Sequence, residues 1–395
     1  MAGRLMMLAL ITTLPLVGIF GQETKVISHL ASYNMKWTAC HPYLLEYAFQ
    51  PFFSAGLILE QGSGDFRPAF ESRRHSHLGF QSNSQKTIND WKLQGSFAYR
   101  KFLNQQKPYL LEQGFSPTIP FALVDEHSDT WDGDHINFSL IALSPIWQHN
   151  FRSHALIRYE VGSGNRNAEP RPLYRNSDLQ IELGNSYYLN NSLQIGVSGS
   201  LAQVQEENSV GVFAVQDFSL YQLRGISTFT RNTFQSFQRA QKETSLGANA
   251  FLGYKKQRGW GFLVFNFQSG RYEARDGIAI PVDGGTVSLT KRTIQTGHHR
   301  ELSAGRIVQI HTTWENTTST AMDPIFKAVN FDFNQSSLRV STGILNTNGM
   351  LRQIGINLLY THENRTETAG RDVLDFKNLE YGIETNIVIP SDRKH

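Results

Sequence analysis

The chain has one cysteine, Cys40, in 395 residues, so no internal disulfide framework can staple it. Cys40 lies well beyond the N-terminal apolar stretch, at the wrong distance to be the lipid-bearing cysteine of a lipoprotein. Nothing around it supplies the base and third group that a reactive thiol needs. Charge of one sign is equally scarce: 37 basic and 34 acidic residues leave +3, with no long run of either sign. That balance gives no footing to nucleic-acid binding. After residue 21 no run approaches the roughly 20 apolar residues of a spanning helix, and the mean hydropathy is negative. A helical membrane protein is thereby excluded.

What the chain does have is a secretory-type start and repeated two-faced strands. Arg4 supplies a charged region, Leu5 to Phe20 are mostly apolar, and Gly21 precedes Gln22, so Met1–Gly21 reads as a signal peptide cleaved after Gly21. Thr12, Thr13 and Pro15 interrupt the run and no basic cluster follows, which weighs against an N-terminal anchor. Further on, Phe151, Ser153, Ala155, Ile157, Tyr159 and Val161 alternate with Arg152, His154, Leu156, Arg158 and Glu160. Successive strand side chains point to opposite faces, so such a segment separates an apolar medium from a wet one. The same alternation runs through Trp91–Arg100 and Leu379–Ile389.

The pattern predicts an all-β protein, a transmembrane antiparallel β-barrel of about fourteen strands (about 12 to 16). The expected spans are 53–60, 76–83, 90–102, 135–144, 151–162, 177–187, 192–204, 244–255, 260–271, 286–297, 304–315, 336–345, 350–361 and 377–389. Every other connection is short, as in outer-membrane barrels with short periplasmic turns and long extracellular loops. The chain divides into a signal peptide (1–21), an N-terminal periplasmic or lumen-plug segment (22–52), the barrel (53–389) and a polar tail (390–395). A secreted β-sandwich or lipocalin-like barrel also alternates, with the faces exchanged. Strand number, the linker alternation and aromatics near strand ends (Trp91, Tyr99, Tyr187, Tyr254, Trp260, Trp314, Tyr381) favour the membrane barrel.

From Trp91 to about Phe213 the chain resembles a functionally uncharacterised family of outer-membrane β-barrel proteins of Bacteroides-type Gram-negative bacteria. The carrying residues are Gly95–Tyr99, Pro108–Leu111, Asp132, and above all Tyr159-Glu160-Val161-Gly162-Ser163-Gly164 followed by Pro170-Arg171-Pro172. The resemblance implies location and architecture, and no reaction or substrate.

If apolar faces meet lipid, Lys92, Arg100, Arg152, Arg158, Glu160, Asp178, Glu182, Glu380 and Glu384 face the lumen. Arg152 and Arg158 are then expected opposite Asp178 and Glu182. Their functional reading is a polar conduit; the plainer one is that they fill the interior and satisfy one another. Two loops are unexpectedly apolar, one with Tyr109, Leu110, Phe115 and Phe121, the other with Phe213, Phe218, Tyr221, Phe229 and Phe234. They are expected either to pack over the mouth or to receive an apolar ligand or a protein.

The acidic stretch Asp125–His135, read as a loop, offers Asp129, Asp132 and Asp134 as weak ligands for a divalent ion, and a solvated loop is preferred. Gly162–Arg166 is a structured loop rather than a phosphate cradle, since no helix follows it. His298–His299 is placed in a short turn. No cofactor and no catalytic residue is expected; His154 is the histidine worth testing for hydrolysis, with no serine or acid partner visible in the sequence.

The resulting expectation is a non-enzymatic outer-membrane barrel for capture or passage of a small solute, surrounded by outer-membrane lipid. One variant resembles the fatty-acid transporter type, in which an N-terminal segment plugs the lumen and greasy loops collect the substrate. The alternatives are a surface accessory that binds another outer-membrane protein in an uptake complex and, less favoured, an outer-membrane lipase or protease.

Overall fold

The computed structural model describes residues 41–387, apart from 48–50, 66–69, 149, 212–217, 235, 278–279, 304 and 347–350. The expected signal peptide, most of the 22–52 segment, Phe213 and the expected polar tail therefore lie outside the described residues.

One turn of 3-10 helix, Pro42–Leu45, precedes sixteen strands. They are β1 (Phe52–Ser63), β2 (Arg74–Ile88), β3 (Trp91–Leu110), β4 (Leu123–Leu143), β5 (Phe151–Arg166), β6 (Arg171–Asn190), β7 (Leu193–Gly211) and β8 (Phe218–Leu223). They continue as β9 (Phe229–Phe234), β10 (Ser236–Lys256), β11 (Gly259–Asp276), β12 (Val282–Ser303), β13 (Arg306–Met322), β14 (Val329–Asn346), β15 (Leu351–Glu367) and β16 (Asp372–Ile387). All ladders are antiparallel, and fourteen strands form one series, β1 to β7 followed by β10 to β16. These fourteen match the expected spans one for one. The other two, β8 and β9, form a hairpin in the connection after β7, and β8 pairs with the start of β4 at Leu123 and Val124. Among the described residues no ladder joins β1 to β16.

The two faces of the sheet settle which medium each one meets. On adjacent β7 and β10, Val197 is 65% and Leu246 66% exposed, while Gln194, Ser198, Ser245 and Asn249 on the opposite face are buried. On β11, Leu263, Phe265 and Phe267 are exposed while Asn266 and Gln268 line the interior. Large apolar side chains outside and amides and hydroxyls inside is the reverse of a soluble sandwich, and it is the dyad pattern of a lipid-facing barrel wall. The sheet curls around its polar face. The 111–122 connection after β3 is buried against β7, β10, β13 and β14 at once, through Glu206, Gln241, Ser319 and Phe331.

Most differences from expectation lie at one end. At the turn end, connections such as 89–90, 191–192 and 257–258 are as short as expected. At the opposite, loop end the strands run on, so that only 64–73, 111–122 and the connection carrying β8 and β9 remain long. Asp125–His135, expected as a loop, is part of β4, and Gly162–Arg166 is the end of β5. Beyond the lipid-facing band both faces of a strand meet polar surroundings, so the hydrophobic alternation fades although the hydrogen-bond ladder continues. His298–His299, expected in a turn, lies in β12, where Tyr254 meets His298 at 2.5 Å and Trp260 stacks on His299. The β11–β12 ladder runs on to the Gly259–Arg300 pair and carries the histidines into the sheet.

Candidate functional site: an interior chamber with a floor and a roof

The floor is the Pro42–Leu45 turn, set inside the turn end of the sheet. His41 caps it: its backbone is extended and its Nδ1 accepts a hydrogen bond from the Tyr43 amide at 3.3 Å, while Pro42 pre-sets the first helical torsion. Tyr43, Leu44 and Leu45 are each 0% exposed, in one cluster with Ile141, Leu143 and Leu156 of β4 and β5 and with Phe251, Trp260, Phe262 and Val264 of β10 and β11. The Tyr43 ring lies edge-on to His154 at 4.3 Å, against a wall thinned by Gly196, where a Cβ would come within 2.5 Å of the ring. A single acid ties the segment to the wall: Glu46 pairs with Lys92 at 2.6 Å and with Arg152, whose Nε donates to the Ser144 carbonyl at 2.7 Å. Tyr47 donates to Gln194 at 2.8 Å.

Above the floor lies a cavity of about 230 Å³. Its base is His41, Pro42, Leu156 and Val264; its sides are polar residues of β5, β6 and β10 to β13. Glu182 reaches from the wall toward the floor: its Oε1 accepts from Ser198 Oγ at 2.8 Å, lies 3.0 Å from His154 Nε2 and 3.6 Å from His41 Nε2. Burial pushes His41 down to about 3, with the Glu182 charge opposing and His154 adding to the fall, so the imidazole is neutral at ordinary pH.

The roof is the 111–122 connection. Phe121 is buried against Tyr272, Ala274, Val287, Ala321, Phe331 and Phe333, and Ser319 Oγ donates to the Thr118 carbonyl at 2.7 Å. On β11, β12 and β13 these contacts fall four residues loopward of Gln268, Lys291 and Glu315, which line the chamber. At the strand rise that is about 13 Å. Glu112 at the root of the connection is buried; its carboxylate accepts from Gln241 at 2.6 Å and from the Leu123 amide at 3.3 Å. Burial pushes Glu112 up to about 8, with the Arg239 charge 3.7 Å away opposing and Glu206 adding to the rise; Arg239 is itself engaged by Asp276 at 2.7 and 2.9 Å. At the end of β5 the buried Arg166 pairs with Asp125 and donates to the Pro170 carbonyl at 2.9 Å. Leu111, Leu123, Val210, Leu220 and Phe237 form one buried cluster, so the two apolar connections pack on each other.

The sequence-expected residues divide between these structures. Arg158 and Glu182 line the chamber, and Lys92 and Arg152 hold the floor. Contrary to the expectation from the sequence, Arg152 and Arg158 do not stand directly opposite Asp178 and Glu182. In the ladder Arg152 faces Ser186, Arg158 faces Gln180, and Glu160 faces Asp178. Register fixes these neighbours, and Glu46 of the floor supplies the acid for Arg152. Arg100 is exposed and Glu160 accepts from Asn137 at 3.2 Å. Glu380 and Glu384 alternate with the outward Tyr381 and Ile383 on β16 and do not line the chamber.

Asp132 and Asp134 share the strand parity of the exposed Ile136 and Phe138, while Asp129 has the other parity. Among the described residues no three His, Cys, Asp or Glu side chains are grouped to hold a metal. In the apolar connections Leu110 and Phe121 are buried. Tyr109, Phe115 and Phe229 are exposed, Phe115 lying on Phe70 at 4.9 Å and Phe229 on Tyr221 at 5.5 Å. Phe218 lies on His127 at 5.4 Å. The side chain of Phe234 is outside the described residues.

His154 does have an acid and a serine nearby, contrary to expectation, since Glu182 and Ser198 lie on the next two strands. The order is that of a hydrogen-bond relay rather than a nucleophile triad: Glu182 stands between them and accepts the Ser198 hydrogen bond, whereas activation of the serine requires the imidazole beside the hydroxyl. Sequence reading did not single out Tyr43, Leu44, Leu45 and Glu46, or the chamber amides Asn249, Asn266, Gln268 and Gln295. The available signal was a compact apolar run opened by His-Pro just ahead of the first alternating strand.

The chain is similar in fold to several solved β-proteins. The β-domain of the Bordetella autotransporter BrkA is 10% identical with a TM-score of 0.31, covering 74% of this chain and 96% of that one. The ferric citrate transporter FecA in its unliganded form is 8% identical with a TM-score of 0.33, covering 85% and 56%. The Pseudomonas putida toluene transporter TodX is 7% identical with a TM-score of 0.31, covering 83% and 86%. No curated protein matches the chain. A family model, described as a family of unknown function, matches residues 42–395, from the first residue of the floor through every strand, and the chain belongs to that family, DUF6850.

Proposed function

We propose that the protein is a non-enzymatic outer-membrane barrel that takes up a small solute through a lumen closed at both ends. The floor faces the periplasm and the roof faces outward, because short turns belong to the periplasmic side of such barrels. The observation that carries this reading is the fully buried Tyr43-Leu44-Leu45 turn lodged between β4–β5 and β10–β11, with Glu46 tying it to Arg152 and Lys92. A merely structural leader into β1 has no need to fill the lumen. It can leave by the turn end.

The test is single-channel conductance of the chain from Gln22, refolded into a planar bilayer, against the same chain lacking residues 22–47. The expected result is a silent or flickering parent and steady conductance after deletion. Steady conductance in the parent would sink the closed-lumen reading. A second reading, docking of another outer-membrane protein on the loop end, rests on the exposed Tyr109, Phe115 and Phe229. It predicts that alanine at these three positions abolishes capture of the partner and leaves conductance unchanged.

A further inference from the structure

The chamber between floor and roof has a lining whose chemistry selects among solutes. We propose that it is a binding site for an uncharged, polyhydroxylated solute of about monosaccharide size. This rests on the closed-lumen reading above and adds the substrate class.

The charges in the lining cancel. Lys291 is held by Glu315 at 2.9 Å, Arg158 donates to Gln180 at 3.3 Å, and Glu182 is occupied by Ser198 and His154. Two cations and two anions sum to zero, so the lining offers no net charge for an ionic solute to neutralise, and a charged guest would lose hydration with little compensation. The rest of the lining is amide and hydroxyl: Gln180, Asn249, Asn266, Gln268, Gln295 and Thr293. A carboxamide offers a donor and an acceptor on one planar group, which suits vicinal hydroxyls that must donate and accept at once.

Two buried atoms of lining residues have no hydrogen-bond partner in the protein, Gln295 Oε1 and His41 Nε2. His41 is 3% exposed. With Nδ1 accepting from the Tyr43 amide, a neutral His41 carries its proton on Nε2. Gln295 Oε1 is thus an unmet acceptor within the lining, while His41 Nε2 lies 3.6 Å from Glu182 Oε1. Such orphaned groups cost free energy until a solute or water meets them. Leu156 and Val264 give the base a small apolar patch for the carbon face of a ring. The pocket these residues line at the floor measures about 230 Å³ and is partly open. It is below the usual range for drug-sized ligands, at about 300 Å³ and above.

The experiment is calorimetric titration of the refolded full chain in nanodiscs with D-glucose, D-galactose and myo-inositol, alongside gluconate, glucosamine and decanoate. Saturable binding of at least one neutral polyol, at least tenfold tighter than any charged or apolar probe, is expected. Gln295→Leu and Asn266→Leu are each expected to weaken it at least tenfold, with folding checked by heat-modifiable gel mobility. Gln268→Glu guards against misfolding of the apolar variants: it should shift preference from glucose toward glucosamine. Equal or tighter binding of gluconate or decanoate, no polyol binding, or unchanged affinity in all three variants would overturn the assignment. Conductance of the chain lacking 22–47 separates the two levels. If it conducts while the intact chain binds no polyol, the substrate class is wrong and the closed lumen stands; a steadily conducting parent removes the closed lumen itself.

Discussion

Replacing Leu44 and Leu45 by alanine tests the floor directly. Both side chains are completely buried in the cluster that joins the turn to β4, β5, β10 and β11. Removing a buried leucine side chain costs about 2–5 kcal/mol, the spread reflecting how far the surroundings collapse. Here the loss falls on docking of the segment rather than on the wall, because the strands are held by their own ladders from β1 to β16. At about 3 kcal/mol for one substitution, the ratio of undocked to docked floor rises roughly 150-fold, since about 1.4 kcal/mol is a factor of ten. The double variant rises further by an amount that depends on coupling between adjacent sites. Single-channel recording reads the ratio as open fraction, and unchanged heat-modifiable mobility confirms an intact wall. An open fraction in the double variant equal to that of the parent, with the wall intact, would refute the floor as the closing element.

Other perturbations address the remaining contacts. Glu46→Gln leaves Arg152, which is 4% exposed, and Lys92 without their carboxylate, so open fraction should rise at least tenfold in the same recordings, and more at low salt than at high. Roof docking should depend on pH with a definite sign. Glu112 is raised from 4.5 to about 8 when buried, so the docked roof binds more protons than the released one; docking is strongest at low pH, weakens as pH rises from about 4.5 to about 8, and is level above that. Limited proteolysis of the 111–122 connection between pH 5 and 9 reads it, and Glu112→Gln should flatten the curve. Arg166→Ala should destabilise the loop end by about 3–5 kcal/mol in thermal unfolding, because Asp125 is left charged and buried, whereas Asp125→Leu with Arg166→Met should cost far less.

Legibility from sequence followed the medium around each strand. Where one face meets lipid and the other the lumen, as in Phe151–Val161, hydrophobic alternation is strong and all fourteen serial strands were found. Past that band, β4 carries Asp125, Glu126, Asp129 and Asp132 through a region with no apolar face, and the same backbone ladder looked like a loop. The β8–β9 hairpin was hidden for a related reason: its apolar residues, such as Leu220 and Tyr221, pack on the neighbouring connection and do not define a two-faced strand. Inward orientation was also legible, and Arg158 and Glu182 do line the chamber. Partners were not, because register decides whether Arg158 meets Asp178 or Gln180, and a slip of two residues preserves every face. The floor depends on contacts more than a hundred residues apart, such as Glu46 to Arg152, which no local pattern encodes.

On the closed-lumen reading proposed above, the floor and the roof are held by different kinds of force, and this bears on how a solute could pass without leaving an open pore. The floor is mainly apolar: three fully buried side chains, a neutral His41 and one acid with two basic partners. Its docking responds to anything that pulls on or replaces the apolar turn, and little to protons, since His41 titrates near 3. The roof combines an apolar cluster around Phe121 with a buried Glu112 that titrates near 8, within the range a surface-exposed compartment can experience. Conditions that loosen the roof therefore leave the floor in place, and a force on the N-terminal segment that draws out the floor leaves Phe121 and Ser319 engaged above. Separately addressable closures on either side of a polar chamber are what sequential opening requires, and a single plug through the whole lumen would not provide them.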